Sequence, residues 1–162
     1  LQLAEANRAS QQFMRGTTRP DWYRSALAEQ REGREVVFAI RLAGELVGTT
    51  SFFDFNPVLP AAEIGATWLD VSQHGTGLNR MIKYLMLRHA FEEWQLVRVQ
   101  LKTAASNLRA QRAIEKLGAQ REGLLRNHRR LADGRLDHTV MYSITDSEWP
   151  QVKAGLESRF GA

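Results

Sequence analysis

At 162 residues and 18.4 kDa, with 43% apolar and 25% charged residues, the chain has the size and composition of one globular domain, which excludes a fibre or a disordered tail. The absence of cysteine removes disulfides, thiol nucleophiles, cysteine-rich zinc sites and iron–sulfur clusters, and it suits a reducing cytoplasm. The net charge of +4 comes mostly from arginine and is concentrated between positions 109 and 135, which fits an anionic ligand, a nucleic acid or a solvated face; no apolar run approaches the ~20 residues that span a bilayer.

In chain order, positions 1–15 and 20–32 read as helices separated by a breaker at 16–19, with Pro20 suited to a helix start. Residues 35–42 and 46–54 are rich in β-formers and form a hairpin about Ala43, Gly44 and Glu45. Pro57 and Pro60 enforce a loop before a third strand over 62–69. A long helix is predicted over 78–94, with Leu78, Met81, Ile82, Leu85, Met86, His89 and Ala90 on one apolar face. A half-buried strand over 96–102 follows, then a helix over 107–117 closed by Gly118. Strands over 121–131 and 135–144 flank an Asp133-Gly134 turn, and Ser147 caps a last helix running to Phe160. No repeat or linker divides the chain, so residues 1–162 are expected to form a single α/β domain with a mixed sheet.

Gln73, His74, Gly75, Thr76, Gly77, Leu78 and Asn79 sit where the third strand gives way to the long helix. Two glycines permit tight backbone turns, and the unpaired amides from Gly75 to Asn79 at a helix N-terminus form a cradle for phosphate or pyrophosphate. A plain tight turn is the competing reading. The segment is neither a Walker loop, which needs Lys then Ser or Thr after its last glycine, nor a three-glycine dinucleotide turn.

The Gln-x-Gly-x-Gly run after a strand holding Glu63-Ile64-Gly65 and Trp68-Leu69 resembles the acetyl-CoA loop of the GCN5-related N-acetyltransferase (GNAT) superfamily. The segment from Asn107 through Glu115-Lys116 to Gly118 is similar to one in the RimJ/RimL-type branch, which acetylates ribosomal-protein N-termini. The resemblance spans roughly residues 36–144. It implies a mostly antiparallel sheet, splayed between the strands ending near Asp70 and Lys102, with acetyl-CoA in the wedge. It also implies a strand ahead of position 1, so one sheet edge is expected to be missing, and it makes a homodimer an expectation.

The resemblance further implies that the backbone of Trp68, Leu69, Asp70 and Val71 pairs with the pantetheine amides and supplies an oxyanion donor. Asn107 is placed against the pantetheine or thioester sulfur, and its competing role is a helix N-cap. Arg109, Arg112 and Lys116 are expected at the adenosine phosphates or on a solvated face. Transfer in the family is direct, from thioester to a neutral amine, so the lack of cysteine costs nothing. Glu63 is the candidate base or water-holder, with a paired carboxylate as the alternative. Many relatives carry a tyrosine acid after Asn107, and positions 108–118 hold none, leaving that task to Asn107 or solvent. The four histidines lack metal-site spacing, so no metal is assigned, and His89 is expected in the core. His128, on the strand before the Asp133-Gly134 turn, faces the acceptor cleft or solvent, with solvent favoured, while Trp22, Phe53 and Phe55 border that cleft or fill core, with Phe53 assigned to core.

The leading reading is an acetyl-CoA-dependent N-acetyltransferase of the cytoplasm, acting on a protein N-terminus or a small-molecule amine. The alternative is a non-catalytic CoA-binding regulatory module. A nucleic-acid binder ranks last, because the basic stretch lacks aromatics for base stacking.

Overall fold

The computed structural model describes residues 20–56, 58–131 and 133–160. The expected helix over 1–15 and its breaker at 16–19 lie outside them, as does the side chain of Trp22. Helix α1 (Pro20–Arg31) opens on Pro20, whose missing N–H costs a first turn nothing. Strands β1 (Glu35–Leu42) and β2 (Glu45–Asn56) are joined by Ala43 and Gly44, both at positive φ, 51° and 87°. That is the torsion pattern of a two-residue hairpin turn matched to strand twist.

After Asn56, whose Oδ1 accepts from the amides of Val58 and Leu59, β3 (Ala61–Leu69) runs back antiparallel to β2. A 3-10 turn (Val71–Gln73) leads to α2 (Leu78–Arg88), then β4 (Arg98–Ala104), α3 (Leu108–Glu115), the β5 (Gln120–Arg130)–β6 (Leu136–Thr145) hairpin and α4 (Trp149–Glu157). The six strands form one sheet in the order β1-β2-β3-β4-β6-β5, flanked by helices, and only the β3–β4 pair is parallel. Parallel neighbours need a crossover, and α2 with its preceding loop supplies it. Phe52, Ile64, Leu87, Val99, Leu101, Tyr142 and Ile144 lie at the centre of the core.

Several expectations are corrected. The long helix ends as an α-helix at Arg88 and continues as one π-helical turn (His89–Glu93), stopped at Gln95 with φ 53°. Its buried face carries Ile82, Lys83, Tyr84, Met86, Leu87 and Ala90, while Met81, Leu85 and His89 are exposed. The polar Lys83 and Tyr84 disguise the true stripe: Tyr84 Oη is satisfied by Glu157 at 2.6 Å and Lys83 by Thr50 of β2 and Thr67 of β3. His89 instead packs edge-on against Trp94. Strand β4 begins two residues later than expected, because the amides of Leu96 and Val97 are spent on Ala90 and Pro60 carbonyls. Ser147 does not cap the last helix; its hydroxyl pairs with that of Thr145, and Glu148 is the cap residue, its carboxylate accepting from the Thr145 amide at 2.8 Å rather than from the amides of the helix.

Candidate active site

Strands β3 and β4 pair over only three positions, Ala61 to Arg98, Ala62 to Val99 and Glu63 to Gln100, and then part. The cause lies in β3: Ala66 stands at φ 46°, and the β2–β3 register slips between Thr49 and Ser51. An extra residue there bends and twists the strand away from its neighbour. The remainder of β3, including Trp68 and Leu69, therefore has β2 on one side and a wedge on the other. Asp70 N–H turns toward β2 and donates to Val47 O at 2.8 Å, so the amide of Leu69, one residue back on the pleat, faces the wedge. The Asp70 amide is taken by β2, and its carboxylate accepts from the Ser72 amide and hydroxyl at 2.8 and 2.6 Å.

The loop after β3 closes the mouth of the wedge. Gln73 N donates to Asp70 O and His74 N to Val71 O, while the Thr76 hydroxyl donates to Gln73 O at 2.9 Å, fixing the loop from within. Gly75 and Gly77 take φ of 82° and 89°, and Gly77 is the cap residue of α2 with no side-chain cap. Among the described residues the amides of Gly75, Thr76, Gly77 and Asn79 have no protein acceptor. Leu78 N is already engaged with Thr76 Oγ1 at 3.3 Å, so one of the five expected donors is diverted. Four free donors at a helix N-terminus form a site for an anion.

Glu63 lies on the opposite face of β3 from the core residue Ile64 and is 1% exposed. Gln100, its register partner, donates Nε2 to Glu63 Oε2 at 3.0 Å. Lys102, two residues on and on the same face, brings Nζ to 2.7 Å from Glu63 Oε2 and 3.5 Å from Asp54 Oδ2. Burial pushes the Glu63 carboxyl above the usual carboxylate range, and the Lys102 ammonium opposes it. Phe53 pairs with Glu63 across β2–β3 and lies half-buried 5.6 Å beneath Lys102 Nζ. Phe53 thus belongs to this cluster, whereas Phe55 packs on Trp94 against the core, the reverse of the expected assignment for Phe53. His128 is exposed and shares a 3.1 Å contact with Thr139.

Asn107 is the N-cap of α3, its Oδ1 accepting from Ala110 N at 3.1 Å, which leaves its amide NH₂ as the remaining donor of the side chain. Arg109, on the first turn of α3, reaches His74 in the loop. Arg112 is exposed one turn further on, and Lys116, at the far end of the helix, lines a small cleft facing α4. Sequence reasoning missed Lys102, Gln100 and Asp54. The polar alternation Gln100-Leu101-Lys102 was a signal for one wet face of β4, but not for its partner. Among the described residues no cluster of three histidines or carboxylates is placed to hold a metal, and no helix is long and apolar enough to cross a membrane.

Comparisons with known proteins converge on one family. The acetyltransferase (GNAT) domain family matches residues 3–120. The chain is 28% identical over 147 residues to YdaF of Bacillus subtilis, named as a ribosomal N-acetyltransferase, covering 91% of this chain and 77% of that one. A protein assigned as an acetyltransferase from T. thermophilus superposes with a TM-score of 0.78 at 40% identity, over 91% of this chain and 77% of that one. RimJ of Mycobacterium smegmatis, solved with CoA-disulfide, gives a TM-score of 0.84 at 26% identity, over 98% and 81% of the two chains.

Proposed function

From the premise that the chain belongs to the GNAT acetyltransferase family, within its RimJ/RimL-like branch, and is an N-acetyltransferase, we propose that it passes an acetyl group directly from acetyl-CoA to a primary amine in a ternary complex. The acceptor is a protein N-terminus or a small-molecule amine, and the setting is the cytoplasm. The observation that carries this reading is the early end of the β3–β4 ladder at Glu63 and Gln100, which opens an edge of β3 that runs on toward the unpaired loop amides.

In this reading the amides of Gly75, Thr76, Gly77 and Asn79 hold the diphosphate, and the open edge of Trp68 and Leu69 takes the pantetheine as a neighbouring strand would. Val71, exposed at the start of the 3-10 turn, borders the same edge. Leu69 N–H, on that open edge, donates to a pantetheine amide carbonyl. Glu63 accepts the proton released by the amine: its raised affinity for a proton brings it closer to neutral pH, where a base works best. Asn107, with its amide NH₂ uncommitted, lies at the start of α3 to hold the pantetheine or attend the leaving sulfur. Arg109, and Arg112 beside it, offer charge to the adenosine phosphates, while Lys116 stands further from the loop.

The test is thiol release from acetyl-CoA against a panel of amines, including peptides of varied first residue. Amine-dependent release supports the reading. A melting-temperature rise with CoA and no release with any amine would instead indicate the binding module.

A further inference from the structure

Lys102 stands apart from the mechanism above, yet it already places an amine at the candidate base. It lies just past Gln100, the last β4 residue paired with β3, and so on the part of the strand that borders the wedge. Its Nζ is 2.7 Å from Glu63 Oε2, its partners on that face are carboxylates of β3 and β2, and its side chain keeps 29% exposure. We propose that Lys102 is a self-acetylation site, taking the acetyl group of a bound acyl thioester of CoA when no other amine occupies the cleft. This inference rests on the acetyl-CoA reading above.

Glu63 takes one proton from the Lys102 ammonium and releases it to solvent, and the neutral Nζ attacks the thioester carbonyl carbon. A C–N bond forms, the C–S bond breaks with its electron pair on sulfur, and the second amine proton goes to the thiolate. The products are Nε-acetyl-Lys102, free CoA thiol and one proton.

The other lysines give an internal standard. The chain has four, Lys83, Lys102, Lys116 and Lys153. Lys83 is buried under the sheet, Lys153 is paired with Glu92 on the surface, and Lys116 is exposed at the end of α3. Only in Lys102 is the amine held beside a buried carboxylate at the wedge. Proximity of that kind raises a local reaction far above its bimolecular counterpart.

Purified full-length protein is incubated with deuterated acetyl-CoA and no added amine, and label is mapped by tryptic mass spectrometry. Acetylation at Lys102 blocks cleavage there and yields the peptide 99–109. The expected result is at least about tenfold more label on Lys102 than on Lys116 or Lys153, a preference lost in urea-denatured protein. Excess unacetylated CoA abolishes the Lys102 label, and Lys102→Arg removes it while CoA still raises the melting temperature. Label on Lys102 no greater than on the surface lysines, or insensitive to CoA, overturns the inference. If added amines are acetylated and Lys102 is not, this inference alone falls. If CoA neither shifts melting nor supports any transfer, the acetyl-CoA reading falls and takes this one with it.

Discussion

Arg109 Nη1 lies 3.3 Å from His74 Nδ1, joining the glycine loop after β3 to the first turn of α3 across the mouth of the wedge. Burial first, and then the Arg109 charge, hold the His74 imidazole below its ordinary pKa, so at neutral pH it is uncharged and can accept from the guanidinium. Arg109→Ala should let the His74 pKa rise toward its ordinary value, read by NMR titration of the ring. It should also weaken CoA binding by up to roughly fivefold, the scale of one exposed charge contact. An unmoved His74 titration would show that the contact does not form in solution.

Glu63→Gln keeps the shape of the side chain and its bond to Gln100 but removes the proton acceptor. Turnover should fall by about 10²- to 10³-fold, with acetyl-CoA affinity within about twofold of wild type. Because burial raises the Glu63 pKa, wild-type turnover should drop as pH falls through a value above the usual carboxylate range. The variant should lose that acidic limb. Steady-state kinetics across pH checks both, and a wild-type rate and profile would remove Glu63 from the mechanism.

Lys83 is fully enclosed between α2 and the sheet, donating to Thr67 Oγ1 at 2.5 Å and to Thr50 Oγ1 at 3.5 Å, and burial lowers its pKa to about 7. In the unfolded chain it keeps its proton up to about 10.4. Between about pH 7.5 and 9.5 the unfolded state therefore binds more protons than the folded one, and stability rises with pH, by no more than about 1.4 kcal/mol per unit from this group. Lys83→Met should abolish that slope without loss of stability at neutral pH, since no buried charge is left unpaired. Urea unfolding at several pH values distinguishes the two proteins.

At Gly77 the positive φ strains any side chain, so two variants are needed to separate strain from charge. Gly77→Ala should cost about 1 kcal/mol of stability and leave CoA binding largely intact. Gly77→Glu should cost a similar amount of stability but weaken CoA binding at least about a hundredfold, because a carboxylate then occupies the anion's place. Equal affinities of the two variants in calorimetric titration would mean that the cradle is elsewhere.

What could be read from the chain followed the range of the interactions. Hairpin turns, the glycine loop and the Asn107 cap are set by a few adjacent residues, and all three stand where the sequence puts them. The partners of Glu63 could not be read, because Gln100 and Lys102 come to it only through a parallel register set some 37 residues away. The bulge at Ala66 that opens the wedge carries no glycine or proline at its own position to announce it. The buried face of α2 was misjudged because Lys83 counts as polar in any periodicity, although two threonine hydroxyls make its burial tolerable.

The proposed transfer requires main-chain donors between Gly75 and Asn79 to grip the diphosphate of acetyl-CoA. A crystal structure of the wild-type protein grown with CoA in excess tests it most directly. The account requires diphosphate oxygens within about 3 Å of the amides of Gly75, Thr76, Gly77 and Asn79, with pantetheine along the open edge of Trp68 and Leu69. CoA bound with its diphosphate away from those amides, or a wedge that stays closed to it, would contradict the account.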